Sequence, residues 1–451
     1  MKKMIMLTAL AAVSFSTNVF AQQDDPDKNY IRNSLYMMKL DEPCPKEDYA
    51  EAFKIMSATF DTINFARNYE RYNDFSLKQR RIELSKLPEV TQAEKDAVGK
   101  ESKLDKMTAD ILRQQGLKNS LSEVEYAARL LKYFEQNKFA QNLVAKWHAA
   151  PDAPEGTTKW DNDLSVIMEL GLKGLSQEAV DNAKATENLT AVVGGAENKL
   201  LSNSYICVNR YGYMDAKEVV ALTGAVLQAT LGDNALAQLA IKKGTELAEK
   251  KVKGYFVRAN AYLFKLDWNN DTYNKFYTKY WEKSDGFMND NDFKVTYVGK
   301  SSKRAPAAMS LKSSTTLDKL IARATVRGTD AAIAALQRDH EEFRPMTSLH
   351  VIDGKLAAYI GMKEGIKSGD KFNVYEAVQS KDDPNLTEWK EIGSIKAGKE
   401  IWDNRAGAGD QLEGQATDKD DDDDKASAVP YTVFSGKPGK MGEGCMIRLA
   451  K

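Results

Sequence analysis

Between residues 46 and 147 apolar side chains recur every three or four positions, and after Pro345 they recur in short alternating segments punctuated by glycine. The first period belongs to the α-helix and the second to the β-strand. One chain therefore has to hold a helical part and a sheet part, which places it in the α+β class. Tyr49, Phe53, Met56, Phe60 and Ile63 form one helical stripe with Lys, Glu and Asp on the other side. Val124, Leu131, Phe134, Phe139, Leu143 and Trp147 form a second, along Leu121–Trp147, and the two stripes are expected to pack on each other. The charged stretch Lys78–Lys118 between them is read as a solvated helical arm, with a loosely ordered excursion as the alternative.

Pro151, Pro154 and Gly156 mark a linker, followed by a helical segment over Asn162–Ala185. Ser204–Val208, Tyr255–Val257 with Ala261–Phe264, and Phe293–Val298 are rich in β-formers, and a helical stretch, Ala216–Lys250, separates the first two. Strands alternating with helices predict a central α/β layer. Ser301–Thr316, rich in Ser, Lys and Ala with Pro306, is expected to be a linker. Leu317, Leu320, Ile321 and Ala324 then predict one short helix, which Gly328 breaks, and Thr329 caps a second carrying Ile333 and Leu336. Towards the end, Gly354, Gly361, Gly365, Gly369, Gly393 and Gly398 punctuate short strands such as Phe372–Tyr375, the pattern of a small antiparallel barrel or sandwich. Phe372 and Val374 share one strand face there, and Ile392, Ile395, Val433, Phe434, Ile447 and Leu449 supply apolar surface for a core.

Lys2 and Lys3, the apolar run Met4–Val13 and the small-residue site ending at Val19-Phe20-Ala21 together read as a cleavable signal peptide, with Gln22 first in the mature chain. The apolar run is about ten residues, short of the roughly 20 that a membrane-spanning helix needs. The expected organisation is a signal peptide at 1–21, a helical domain at 22–199, an α/β domain with a helical connector at 200–343 and a small β domain at 344–451. An extracytoplasmic address, periplasmic or secreted, follows from the signal, with no transmembrane segment in the mature chain. With 64 basic against 65 acidic residues there is no global pull towards nucleic acid. Cys44, Cys207 and Cys445 form no C-x-x-C pair; in an oxidising compartment one disulfide is allowed in any of three pairings, with one thiol left over.

Local motifs point away from familiar chemistry. Gly393–Lys399 satisfies G-x-x-x-x-G-K, but Glu400 stands where Ser or Thr would bind magnesium, and a β-rich stretch follows in place of a helix. His148, His340 and His350 have neither helical pair spacing nor an H-E-x-x-H frame. No G-x-S-x-G elbow occurs. Tyr273, Phe276, Tyr277, Tyr280 and Trp281 fit an amphipathic helix on a core better than a sugar-stacking platform. Asp420–Asp424 followed by Lys425 must be a solvated loop, since five adjacent carboxylates repel one another. Val219–Leu231 is too short to span a membrane and is expected to be a buried helix. No catalytic residue, metal ligand set or cofactor is indicated.

The run Ala358–Phe372, with its Gly361, Gly365 and Gly369-Asp370, resembles the glycine turn of small β modules in bacterial envelope proteins such as the C-terminal domain of flagellar assembly protein T. The order of signal peptide, aromatic-rich helices, a Tyr205-containing strand and a C-terminal module with Trp402-Asp403-Asn404-Arg405 is similar to that of secreted, functionally uncharacterised families of Bacteroidota. The expectation is an exported, non-enzymatic envelope protein acting by binding a protein partner or by self-association. The alternative is a carbohydrate-active hydrolase using paired carboxylates.

Overall fold

Ser34–Asp41, strand β2, lies inside the larger-cored of the two sheets found among the described residues. The computed structural model describes residues 30–31, 34–63, 79–100, 121–149, 158–160, 200–218, 254–307, 316–379, 387–404 and 430–450, with a few isolated positions between them. β2 carries the uninterrupted run Leu35-Tyr36-Met37-Met38, all buried, which is how a strand covered on both faces reads. It lies between β3 (Arg81–Glu83) and β4 (Ser204–Asp215), parallel to both. β5 (Tyr255–Leu266) and β6 (Val295–Ala307) continue antiparallel from β4, giving the order β3-β2-β4-β5-β6. The division expected at residue 199 is not a boundary of this sheet, because strands from both sides of it pair directly.

Alternation along the strands sorts side chains to two helical layers. Leu35 and Met37, with Tyr205, Cys207 and Ala259 of the neighbouring strands, face α1 (Ala50–Thr62) and α6 (Leu317–Asp339). Tyr36, Met38, Ile206, Val208, Tyr262 and Phe264 face α3 (Glu123–Gln136) and α4 (Phe139–His148). The two helical stripes foreseen in the sequence are real, but the sheet separates them: α1 packs beside α6, and α3 and α4 pack on the opposite face. The Leu121–Trp147 stretch is two helices, because Lys138 turns the chain with φ 56°. Within the charged region before it, β3 and the short α2 (Gln92–Val98) are ordered, α2 beginning at a capping box formed by Thr91 and Glu94. The aromatic run of 273–281 lies on α5 (Asn270–Lys275) and a following π-helical turn, with Phe276 and Tyr280 buried in the core beneath α3 and α4.

Two expectations about the next region are corrected. Ser301–Ala307 is the second half of β6 and not a linker. β6 is an edge of the sheet, where lysine, serine and a proline such as Pro306 are tolerated because one row of backbone groups faces away from the ladder. The two short helices after it are one helix of 23 residues. Gly328 does not break α6: it sits where the helix crosses the sheet, and a Cβ there would lie 3.3 Å from the Ala259 Cβ. Thr329, instead of capping, donates to Thr325 O at 2.7 Å and pairs with the Tyr211 hydroxyl at 2.7 Å.

The C-terminal strands β7 (Met346–Ser348), β8 (His350–Ile352), β9 (Lys355–Ala358), β10 (Lys371–Gln379), β11 (Thr387–Ala397), β12 (Thr432–Ser435) and β13 (Met446–Leu449) form a nearly closed antiparallel barrel. Phe372, Val374, Ile395, Phe434 and Ile447 fill it. A short β1 (Tyr30–Ile31) pairs with β7, so the eight-stranded sheet begins with residues from the far end of the sequence. Gly365 and Gly369 take left-handed angles, φ 74° and 86°. Gly361 does not; it is required for close approach, since a Cβ there would lie 2.2 Å from the Trp402 carbonyl oxygen. Arg338, near the end of α6, donates to Gly365 O and pairs with Asp370, while Arg344 donates to Leu449 O at 3.2 Å, fastening the barrel to α6. No helix among the described residues is long and apolar enough to cross a membrane.

Candidate functional site

At the carboxyl end of β4, the chain leaves a cleft of about 500 Å³ between the first turns of α1 and α6. The end of β4 supplies Tyr213 and Asp215, the turn after it Lys217 and Glu218, and the start of β5 Tyr255. Asp48, Tyr49 and Glu51 come from the start of α1; Leu317 and Asp318 come from the start of α6. Acidic residues in a first helical turn are favoured by the unpaired N–H groups there, so two helix starts meeting at one strand end concentrate carboxylates.

The wall is aromatic. Tyr213 stacks on Tyr255 with centroids 5.0 Å apart and planes at 16°, and Tyr49 meets Tyr213 edge-on at 5.1 Å. The Tyr49 hydroxyl donates to Glu218 Oε2 at 2.9 Å. Burial, reinforced by that bond to Glu218, pushes the Tyr49 phenol up to about 12. Burial also raises the Tyr213 phenol, and the neighbouring Tyr255 and Tyr49 add to the effect. Both phenols stay protonated at neutral pH and act as donors and π-faces, not as bases. Lys46 shows what this surface accepts: its ammonium pairs with Glu218 and sits 5.3 Å from the centre of the Tyr49 ring. A cation held between a carboxylate and an aromatic face gains from both.

A second cavity of about 400 Å³ lies across the molecule, lined by Lys265, Asp267, Trp268, Tyr297, His340 and Glu342 among others. His340, read as a solvated helix end, follows α6 directly and lines this cavity. The other two histidines are elsewhere. His148 is buried at the end of α4 with Nδ1 2.8 Å from Val144 O, and its ring is 4.4 Å from Phe276. His350 is on β8, with Nδ1 3.4 Å from Glu443. Among the described residues no three His, Cys, Asp or Glu side chains converge as a metal site would require. Cys44, Cys207 and Cys445 all carry free thiols, and burial raises the Cys207 thiol to about 12, which makes it inert. Gly393–Lys399 runs along β11 and past its end, with no helix following, so it has no phosphate-loop geometry. Asn162–Ala185, Arg405 and Asp420–Lys425 lie outside the described residues, as does Val219–Leu231 apart from Val220, Ala221 and Gly224, which are helical.

Sequence reasoning did not assemble the cleft. Tyr49 was legible only as part of a core stripe, and nothing local linked it to Tyr213, Tyr255 or Glu218, which pairing across the sheet brings to it. Comparison with models of known protein families found no match, and comparison with curated proteins found none either.

Proposed function

We propose that this chain is an exported protein that works by binding in the cell envelope, and that its cleft receives a basic segment of a protein partner. The pattern of residues 1–21 supports the compartment. The single observation that carries the binding role is the placement of Lys46 against Tyr49 and Glu218, an internal example of the contact a partner lysine would make. Asp48, Glu51, Asp215, Glu218 and Asp318 against Lys217 and Lys46 give the cleft an excess of negative charge, which steers a cationic segment to it. The alternative, a hydrolase using two carboxylates, requires one carboxyl that holds its proton near neutral pH. Among the described residues Glu94, Glu123, Glu125 and Asp290 are held below the ordinary carboxylate range, and none of these four lines the cleft.

The test is calorimetric titration of the full chain with a hexalysine peptide, in parallel with a Glu51→Lys/Asp318→Lys variant. Both altered positions are exposed on the rim, so folding should be unchanged. Salt-sensitive binding that the variant abolishes is the expected result. Equal binding by both proteins would overturn the assignment of the cleft. Turnover of a glycan panel, lost in Asp215→Asn or Glu218→Gln, would replace it with the hydrolase reading.

A further inference from the structure

The α3 side of the sheet carries a polar ladder at its open edge. Register places Tyr262 opposite Lys300, Asn260 opposite Ser302, and Arg258 opposite Arg304 across β5 and β6. Directly opposed residues of an antiparallel pair project to the same face, with Cβ atoms about 4.5–5.5 Å apart, and like charges so placed repel. Arg210 of β4, opposite Asn260, adds a third guanidinium on this face.

The carboxylates that face this group do not match it. Glu123, at the start of α3, divides its two oxygens: Oε1 accepts from Arg210 at 2.8 Å and from Arg258 at 3.1 Å, and Oε2 accepts from the Tyr262 hydroxyl at 2.6 Å. Glu42 accepts from the Tyr126 hydroxyl and lies 3.5 Å from Arg210, whose guanidinium rests 4.0 Å over the Tyr126 ring. Arg258 Nε is shared between Asn260 Oδ1 at 3.1 Å and Ser302 Oγ at 3.2 Å. Arg304 is exposed, and no carboxylate pairs with it among the described residues. Desolvation of its guanidinium against the sheet, and the neighbouring Arg258, lower its proton affinity.

We propose that Arg258 and Arg304, with the Ser302 hydroxyl between them, form a binding site for a tetrahedral oxyanion, a phosphate or sulfate group. Directly opposed on adjacent strands, the two guanidiniums can donate to one anion, Arg304 through its fork and Arg258 through Nη1, since its Nε and Nη2 donate to Asn260, Ser302 and Glu123. The anion would neutralise a cross-strand repulsion that the protein's own carboxylates leave in place. This site lies on the face of the sheet opposite α1 and α6, and so is distinct from the cleft.

The test uses the full chain, titrated calorimetrically with inorganic phosphate and, separately, inorganic sulfate, with sodium chloride and acetate at matched ionic strength as controls. The variant is Arg304→Gln, which leaves every bond of Glu123 in place. Binding of one or both tetrahedral anions, weakened at least about tenfold (about 1.4 kcal/mol) in Arg304→Gln and restored in part by Arg304→Lys, is the expected result. Preference between the two anions tells a phosphorylated from a sulfated ligand. Equal affinity in Arg304→Gln, or heats reproduced by chloride, would overturn the proposal. The Glu51→Lys/Asp318→Lys variant should bind these anions as the parent does, so a failure of the cleft reading would leave this result standing.

Discussion

Glu123→Ala should be the most damaging polar substitution on the α3 face of the sheet. The carboxylate is the shared acceptor for Arg210, Arg258 and Tyr262, and the side chains of Glu123, Arg210 and Arg258 are only 14 %, 13 % and 16 % exposed. Removing one partner of a buried ion pair costs about 3–5 kcal/mol, because the other charge is left without compensation. Glu42 still faces Arg210, which places the loss near the lower end, about 3 kcal/mol. For a unit of this size a loss of 1 kcal/mol lowers the melting temperature by about 2–4 °C, so the expected fall is about 6–12 °C. The pH dependence has a definite sign. Desolvation of Glu123 is outweighed by Arg210 and Arg258, which hold its carboxyl below the ordinary 4.5. As pH falls, the unfolded chain takes up this proton before the folded one does. The contribution is therefore complete above the unfolded value of 4.5 and is lost as pH drops through the lower folded value. Calorimetric melts from neutral to acid pH check both parts, with Glu123→Gln as the variant that keeps a hydrogen-bonding side chain and loses the charge. A Glu123→Ala melting temperature within about 2 °C of the parent at neutral pH would show that the cluster is solvated and the reasoning wrong.

Other substitutions probe packing and processing. Phe264 is fully buried, with ring centroids 5.0 Å from Phe134 and 5.5 Å from Tyr297; Phe264→Ala should cost about 3–5 kcal/mol in chemical denaturation. Gly361→Ala forces a methyl to within 2.2 Å of the Trp402 carbonyl. It should loosen the barrel by about 1–3 kcal/mol, seen as faster amide exchange in β10 and β13 while β4 and β5 keep their protection. Mass spectrometry of the protein purified from its native source should find Gln22 as the first residue; a major species retaining Met1 would refute the signal-peptide reading.

The α1 stripe was legible because one face of that helix is buried and the other solvated, which leaves a clear period in Tyr49, Met56 and Phe60. β2 carries no period at all. Covered on both faces, Leu35–Met38 shows a short unbroken apolar run that fits a strand or a buried helix equally well. Composition misled at Ser301–Ala307 because an edge strand exposes charged and small residues much as a linker does. At Gly328 local propensity argued for a break, and tertiary packing against Ala259 won. The C-terminal barrel was readable from turn chemistry, since Gly365 and Gly369 need angles that other residues rarely adopt. The cleft and the arginine ladder were not, because each is made by the register of strands far apart in sequence.

The place of β2 in its sheet also sets a schedule for synthesis. The strand that pairs along most of its length, β4, follows about 170 residues later in the sequence. At about 5–20 residues per second, β2 waits on the order of ten to thirty seconds for that partner. α1, α3 and α4 are made within that interval and can cover the faces of β2. Until β4 arrives, however, the edge of Leu35-Tyr36-Met37-Met38 lacks its partner strand, and an uncharged apolar strand with an open edge is the type of sequence that pairs with other chains. A holding chaperone that covers residues 34–41 until Asp215 has been made would raise the yield of folded protein more than one acting on the C-terminal barrel, where β10 and β11 pair across a short connection.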